Sequence, residues 1–213
     1  MKKLLFFISL VLFSSYSIAQ KVTSGVPRNI HKNGKYLFYL HGKIVEDQGR
    51  KAVHEEYGPY LYDDIINSFK HKGFHVISEV RPKESDVETY AQKIVYQIQE
   101  LIAHGVNPRR ITVVGASKGA VIAMFVSTFL KNNQISYVLV AGCSENVIRE
   151  YPIDLTGNIL SVFEASDPSA GTCIKFFEKA TNLHSYLEIK TETGIKHKIV
   201  FKPYDEWVIP AVD

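Results

Sequence analysis

Beyond one apolar run near its start, the chain has no stretch approaching the length of about 20 apolar residues that a membrane-spanning helix requires. Charge of neither sign dominates. In 213 residues, 25 Lys and Arg face 22 Asp and Glu, which leaves no basic footprint for nucleic acid. Neither internal repeats nor low-complexity tracts interrupt the chain. His-Glu-x-x-His is missing, the eight histidines are scattered without ligand-like spacing, and no G-x-x-x-x-G-K-[ST] loop occurs. No metal, nucleotide or other cofactor is therefore expected. Cysteine is scarce as well, with only Cys143 and Cys173, too few for a cysteine-rich scaffold.

The early apolar run is itself informative. Lys2-Lys3 precedes the apolar stretch 4–13, and Ser17 and Ala19 then supply the small residues that a signal peptidase favours. Residues 1–19 read as a secretory signal peptide, with an apolar core of about ten residues, too short to span a bilayer. Gln20 follows, where a lipid-anchored bacterial protein would carry cysteine. A periplasmic or secreted protein is expected, close to neutral once Lys2 and Lys3 are removed. Residues 20–213 have the size of a single domain. In an oxidising compartment Cys143 and Cys173 are candidates for a disulfide; two separately buried thiols are the alternative, and neither position carries a motif for a cysteine nucleophile.

Short runs rich in β-branched and aromatic residues recur at 36–40, 74–80, 111–114, 137–140, 159–163 and 186–189, and read as buried strands. Helix-length segments lie between them at 60–71, 87–104 and 120–131, with shorter ones near 174–180 and 205–212. Lys72-Gly73 and Gly105-Val106-Asn107-Pro108 end two of these helices, and Ser85 with Glu88 has the spacing of a capping box. Strands alternating with helices imply a three-layer α/β/α sandwich around a mostly parallel sheet of about six strands. The polar stretch 46–60 is the longest early loop. If it leaves the same sheet edge as the residues discussed next, Glu46, Tyr57 and Tyr60 become candidates for a pocket rim.

Gly115-Ala116-Ser117-Lys118-Gly119 stands directly behind the strand run 111–114 and before the helical run from Ala120. A serine hydroxyl is a poor nucleophile, so it must be exposed, given a base, and faced by amides that hold the developing oxyanion. A sharp strand-to-helix turn supplies the first and part of the last. Squeezing a serine into such a turn requires neighbours without side chains, which explains glycine two residues away on each side. The helix behind it aims its first N–H groups, including that of Lys118, at the same point. The alternative is a tight turn in which Ser117 caps the helix.

These residues resemble the α/β-hydrolase superfamily, in particular its small, lid-poor serine esterases, over roughly residues 36–213 and with a reduced N-terminal part. The resemblance implies the chain order nucleophile, acid, histidine. Asp167, past the strand run 159–163, is then the acid, with Glu164 as its rival. His197 is the histidine, because His184 precedes the last strand run. Lys196 and Lys198 flank His197 where many relatives carry glycine, and cations there disfavour an imidazolium. The pair His41-Gly42 resembles the loop that completes the oxyanion hole, which assigns the second amide to Lys43, with Ile44 next; His41 itself is expected to be structural. The implied activity is hydrolysis of carboxylic esters, such as small-molecule or saccharide esters, through an acyl-enzyme. Peptidases and thioesterases use the same triad, and a non-catalytic exported binding protein on this scaffold is the remaining alternative. The connection 140–159 is too short for a large lid.

Overall fold

The structure is a computed structural model that describes residues 21–212; the expected leader at 1–19 lies outside the described residues. The chain forms β1 (Val22–Thr23), β2 (Lys35–Leu40), α1 (Lys43–Gln48), β3 (Val53–His54), β4 (Gly58–Pro59), α2 (Tyr62–His71), β5 (Phe74–Ile77) and α3 (Val87–Ala103). It continues with β6 (Ile111–Ala116), α4 (Lys118–Leu130), β7 (Ser136–Val140), α5 (Glu145–Glu150), β8 (Thr156–Glu164), α6 (Ile174–Lys179), β9 (Asn182–Thr191) and α7 (Asp205–Val208).

Seven strands form one sheet in the order β1-β5-β2-β6-β7-β8-β9, and every pairing is parallel. Alternation along the strands divides the core. Tyr36, Phe38 and Leu40 of β2 belong to the core shared with α3, α4 and α6, whereas Leu37 and Tyr39 belong to the one shared with α2 and α7. This is the period-2 pattern of a strand covered on both faces. On α3, Tyr90, Ile94, Ile98 and Leu101 form the buried stripe. Helix α4 is apolar nearly all round, with Ala120 to Ser127 all buried, as befits a helix wedged between the sheet and α3. Among the described residues no helix is long and apolar enough to cross a membrane.

Several local expectations need correction. The sheet has seven strands rather than about six, because the two-residue β1 is too short to leave a sequence pattern. The run 74–80 ends as a strand at Ile77, since Ser78 turns its hydroxyl back to the Tyr39 carbonyl. The stretch 46–60 is not one loop; it holds the end of α1 and the β3–β4 hairpin. Asp86, not Ser85, caps α3, accepting the Thr89 amide at 2.8 Å, while Ser85 donates to the Pro82 carbonyl.

Candidate active site

Register places the site. Leu40 pairs with Gly115, Ala116 with Val140, Val140 with Val162, and Glu164 with Thr191. The loops leaving β2, β6, β7, β8 and β9 therefore emerge side by side at the carboxyl edge of the sheet, the usual ligand edge of such folds.

Ser117 occupies the turn between β6 and α4 at φ 54°, ψ −120°, a conformation that costs a non-glycine residue on the order of 1–3 kcal/mol. Its neighbours enforce it. The Ser117 amide donates to the Val140 carbonyl and its carbonyl accepts from the Ala120 amide, both at 2.8 Å. A Cβ at Gly115 would overlap the Gly119 backbone, and a Cβ at Gly119 would overlap the Leu40 carbonyl. The glycines thus let the helix start pass against the strand ends. The Ser117 hydroxyl makes no cap to α4. It lies instead 2.9 Å from Nε2 of His197.

His197 stands in a 3₁₀ turn, Lys196–Val200, after β9. Its Nδ1–H donates to Oδ2 of Asp167 at 2.6 Å, which leaves Nε2 free to accept from the serine. Asp167 lies just past β8; its carboxylate is fully buried and its Oδ1 accepts the Ser169 amide at 2.8 Å. Glu164, the rival acid, is turned elsewhere. Its oxygens accept from Thr191, Thr193, Gly194 and Ser166, so it has no contact with the imidazole. Lys196 turns its ammonium to Glu56 at 2.8 Å, and Glu56 thereby compensates one of the two charges beside His197.

Gly42 lies against Ser117, since a Cβ there would sit 3.5 Å from the Ser117 Cβ. Lys43 and Lys118 are the first residues of α1 and α4, and an amide in the first turn of a helix has no acceptor within that helix. The Lys43 side chain is exposed and pairs with Asp47. His41 is buried and neutral, held down to about 3 by burial and then by the Arg81 guanidinium beside it. Its Nδ1–H donates to the Gly42 carbonyl and its Nε2 accepts the Arg81 amide.

Two rim candidates need correction. Glu46 is fully buried on α1, its oxygens taken by Lys118 Nζ at 2.7 Å and Arg81 Nε at 3.2 Å. Burial alone would raise its carboxyl, but those two cations outweigh burial and hold it below the usual carboxylate range. Tyr60 is buried as well, its hydroxyl 2.5 Å from that of Tyr39 and pushed up to about 12, chiefly by burial. Tyr57 is half-buried, stacked on His54 at 4.5 Å. Arg81 itself carried no sequence signal beyond its place just after a strand run. The Lys118 ammonium also donates to the Ser85 carbonyl at 2.7 Å, so one ion cluster ties the residue after Ser117 to α1 and to the start of α3.

Cys143 and Cys173 are joined in a disulfide with Cα atoms 5.2 Å apart, and the Gly171 amide donates to the Cys143 carbonyl at 2.6 Å. Both contacts pin the far end of the loop that carries Asp167. A concavity of about 620 Å³ opens between this loop and the start of α5, lined by Ser144, Asn146, Asp167, Thr172 and Lys175 among others. One of about 640 Å³ lies at the amino ends of the strands, around Asn107, Arg109 and Ser136, at the edge opposite Ser117. Among the described residues no group of three or more His, Cys, Asp or Glu converges to hold a metal.

No protein-family model matches the chain, and no curated protein matches it. Solved structures do. It superposes on an esterase/lipase from an uncultured bacterium with a TM-score of 0.58 at 13% identity, covering 87% of this chain and 76% of the other. The esterase PE8 gives 0.55 at 14% identity over 88% and 95%, and SOBER1 of Arabidopsis thaliana gives 0.54 at 14% over 84% and 99%. With a parallel sheet in this order, helices on both faces and a serine turn behind its central strand, the chain has the α/β-hydrolase fold.

Proposed function

We propose that this protein is an exported serine hydrolase that cleaves carboxylic esters through an acyl-enzyme. One observation carries the reading: Ser117, His197 and Asp167 form a continuous hydrogen-bonded chain at 2.9 and 2.6 Å, with the serine on a strained turn and the carboxylate dry. Ser117 Oγ attacks the ester carbonyl while its proton passes to His197 Nε2. Asp167 fixes the imidazole tautomer and stabilises the imidazolium. The amides of Lys118 and Lys43 hold the oxyanion. As the tetrahedral intermediate collapses, the proton goes to the departing alcohol. Water, deprotonated in turn by His197, then releases the acid.

The names of the structural neighbours favour esters over peptides or thioesters. The β7–β8 connection carries only the short α5, and the concavity beside Asp167 is edged by hydroxyl, amide and ammonium groups. Both features suit a hydrophilic alcohol such as a saccharide better than a lipid droplet. Export is supported by the leader-like sequence at 1–19 and by the disulfide, which persists in oxidising compartments.

A fluorophosphonate probe and nitrophenyl acetate test the reading together. The native protein should label and turn over, and Ser117→Ala should lose labelling and cut kcat by a factor on the order of 10⁴ or more. Labelling that survives the substitution, or a native protein that neither labels nor hydrolyses, overturns it and favours a binding protein on the same scaffold.

A further inference from the structure

Asp167 and His197 belong to different loops, 165–172 after β8 and 192–197 after β9. Nothing in the parallel pairing of two strands fixes how the loops beyond them meet, yet a serine triad works only when acid and base keep hydrogen-bond geometry within a fraction of an ångström. Some group has to join the two loops. Glu164, the last residue of β8, is placed to do so, with its carboxylate between them and almost wholly buried.

One oxygen, Oε1, accepts from the Ser166 amide at 3.3 Å, the Ser166 hydroxyl at 3.0 Å and the Gly194 amide at 3.1 Å. The other, Oε2, accepts from the Thr191 hydroxyl at 2.8 Å, the Thr193 amide at 3.0 Å and the Thr193 hydroxyl at 2.8 Å. Ser166 passes the connection on, since its Oγ accepts the Lys196 amide at 3.1 Å, one residue before the histidine. The Glu164 carbonyl accepts the Asp167 amide at 3.0 Å, closing the turn that presents the acid. Six donors converge on one carboxylate. Burial would raise its pKa, but these donors outweigh burial and bring it to about 2, so it stays an acceptor at any working pH.

We propose that Glu164 is a positioning residue for the triad: its carboxylate bolts the acid loop to the histidine loop and thereby sets the Asp167–His197 hydrogen bond. This rests on the triad reading above. It also explains a buried carboxylate that the proposed reaction does not otherwise use. Glu164→Gln keeps the shape of the side chain but turns an amide N–H₂ toward donors on one side, breaking half the set. Glu164→Ala breaks all of it, and Ser166→Ala cuts the relay to Lys196 while leaving the β8–β9 core untouched.

The test compares the native protein with all three variants, using near-UV circular dichroism for packing, steady-state kinetics, and the downfield proton resonance of His197 Nδ1–H. Glu164→Gln and Glu164→Ala should lower kcat by about 10-fold and about 100-fold, the latter the usual cost of misplacing a catalytic group by about 1 Å. KM should stay within about 3-fold, since Glu164 touches no substrate. The downfield proton should weaken or vanish, with Ser166→Ala giving the same pattern in milder form. A merely structural role would lower stability without moving that proton or kcat. If Glu164→Ala does not fold, Glu164→Gln and Ser166→Ala decide. Native kcat and a native resonance in both overturn the proposal, whereas a native protein whose hydrolysis does not depend on Ser117 overturns the triad reading instead.

Discussion

Gly119 stands where the first turn of α4 crosses the end of β2, and the space for a side chain there is filled by the Leu40 and His41 carbonyls. Those carbonyls are backbone, so they cannot swing aside as a flexible side chain would. Gly119→Ala must push α4 away from the strand ends or bend β2, and overpacking of this kind costs about 1–3 kcal/mol. Because Ser117 is held at a positive φ by this same packing, the shift also relaxes the turn. The expected outcome is a lower urea midpoint together with a loss of probe labelling at Ser117. Gly49→Ala provides the contrast: Gly49 sits at φ 82° and ψ −169°, a backbone that strains any side chain by about 1–3 kcal/mol, but a Cβ there meets nothing within 4 Å, so the substitution should lower stability and leave labelling intact. Equal loss of labelling in the two variants would refute the packing argument.

Elements differ in how they reach the edge. The loop after β8 bears Asp167 at its start and is closed at its end by the Cys143–Cys173 disulfide, which spans 30 residues. In the chain-entropy account a loop of that size contributes about 3–4 kcal/mol. The double variant Cys143→Ala, Cys173→Ala should lower stability by that order in a denaturant titration. It should affect kcat less than Glu164→Ala does, because Glu164 grips the end of the loop that holds Asp167. A larger kcat loss in the cysteine variant would reverse that ranking. The longer elements were legible because their residues carry a strong period. The β-branched and aromatic runs of β2, β6, β7 and β8 and the stripe of α3 fall where the pattern puts them. Helices α1 and α5 and the β3–β4 hairpin were not, since six-residue helices and two pairs of strand residues are too short for a period to show. At the site, glycine spacing marked Ser117, and chain order led to Asp167 and His197. Glu46 was misplaced at the rim, and the partners of Glu164 were not foreseen, because burial of a charge depends on groups far along the chain: Arg81 and Lys118 for one, Thr191 to Gly194 for the other.

Across the whole molecule, two buried groups, His41 after β2 and Glu164 at the end of β8, tie stability to pH in the same sense. His41 has its pKa lowered from 6.5 to about 3, first by burial and then by Arg81. In the unfolded chain it takes a proton near 6.5, while the folded protein refuses it, so each pH unit below that favours unfolding by about 1.4 kcal/mol until the folded group titrates near 3. Glu164 is depressed from 4.5 to about 2, and its contribution is complete above 4.5 and lost as pH falls toward 2. Stability should therefore be greatest above about pH 6.5, fall by about 2–3 kcal/mol between 6.5 and 4.5 through His41, and fall more steeply below 4.5 as Glu164 joins. Half-buried His75, lowered mainly by burial, adds to the upper window. Guanidinium unfolding at intervals from pH 8 to 3.5 measures the slope directly. His41→Gln, which keeps an amide near the buried Arg81, should start less stable but flatten the curve between 6.5 and 4.5 while leaving the steep limb below. A native curve already flat between 6.5 and 5, or a variant with the native slope, would mean that His41 is not the neutral, buried support of the loop after β2 that its two hydrogen bonds describe.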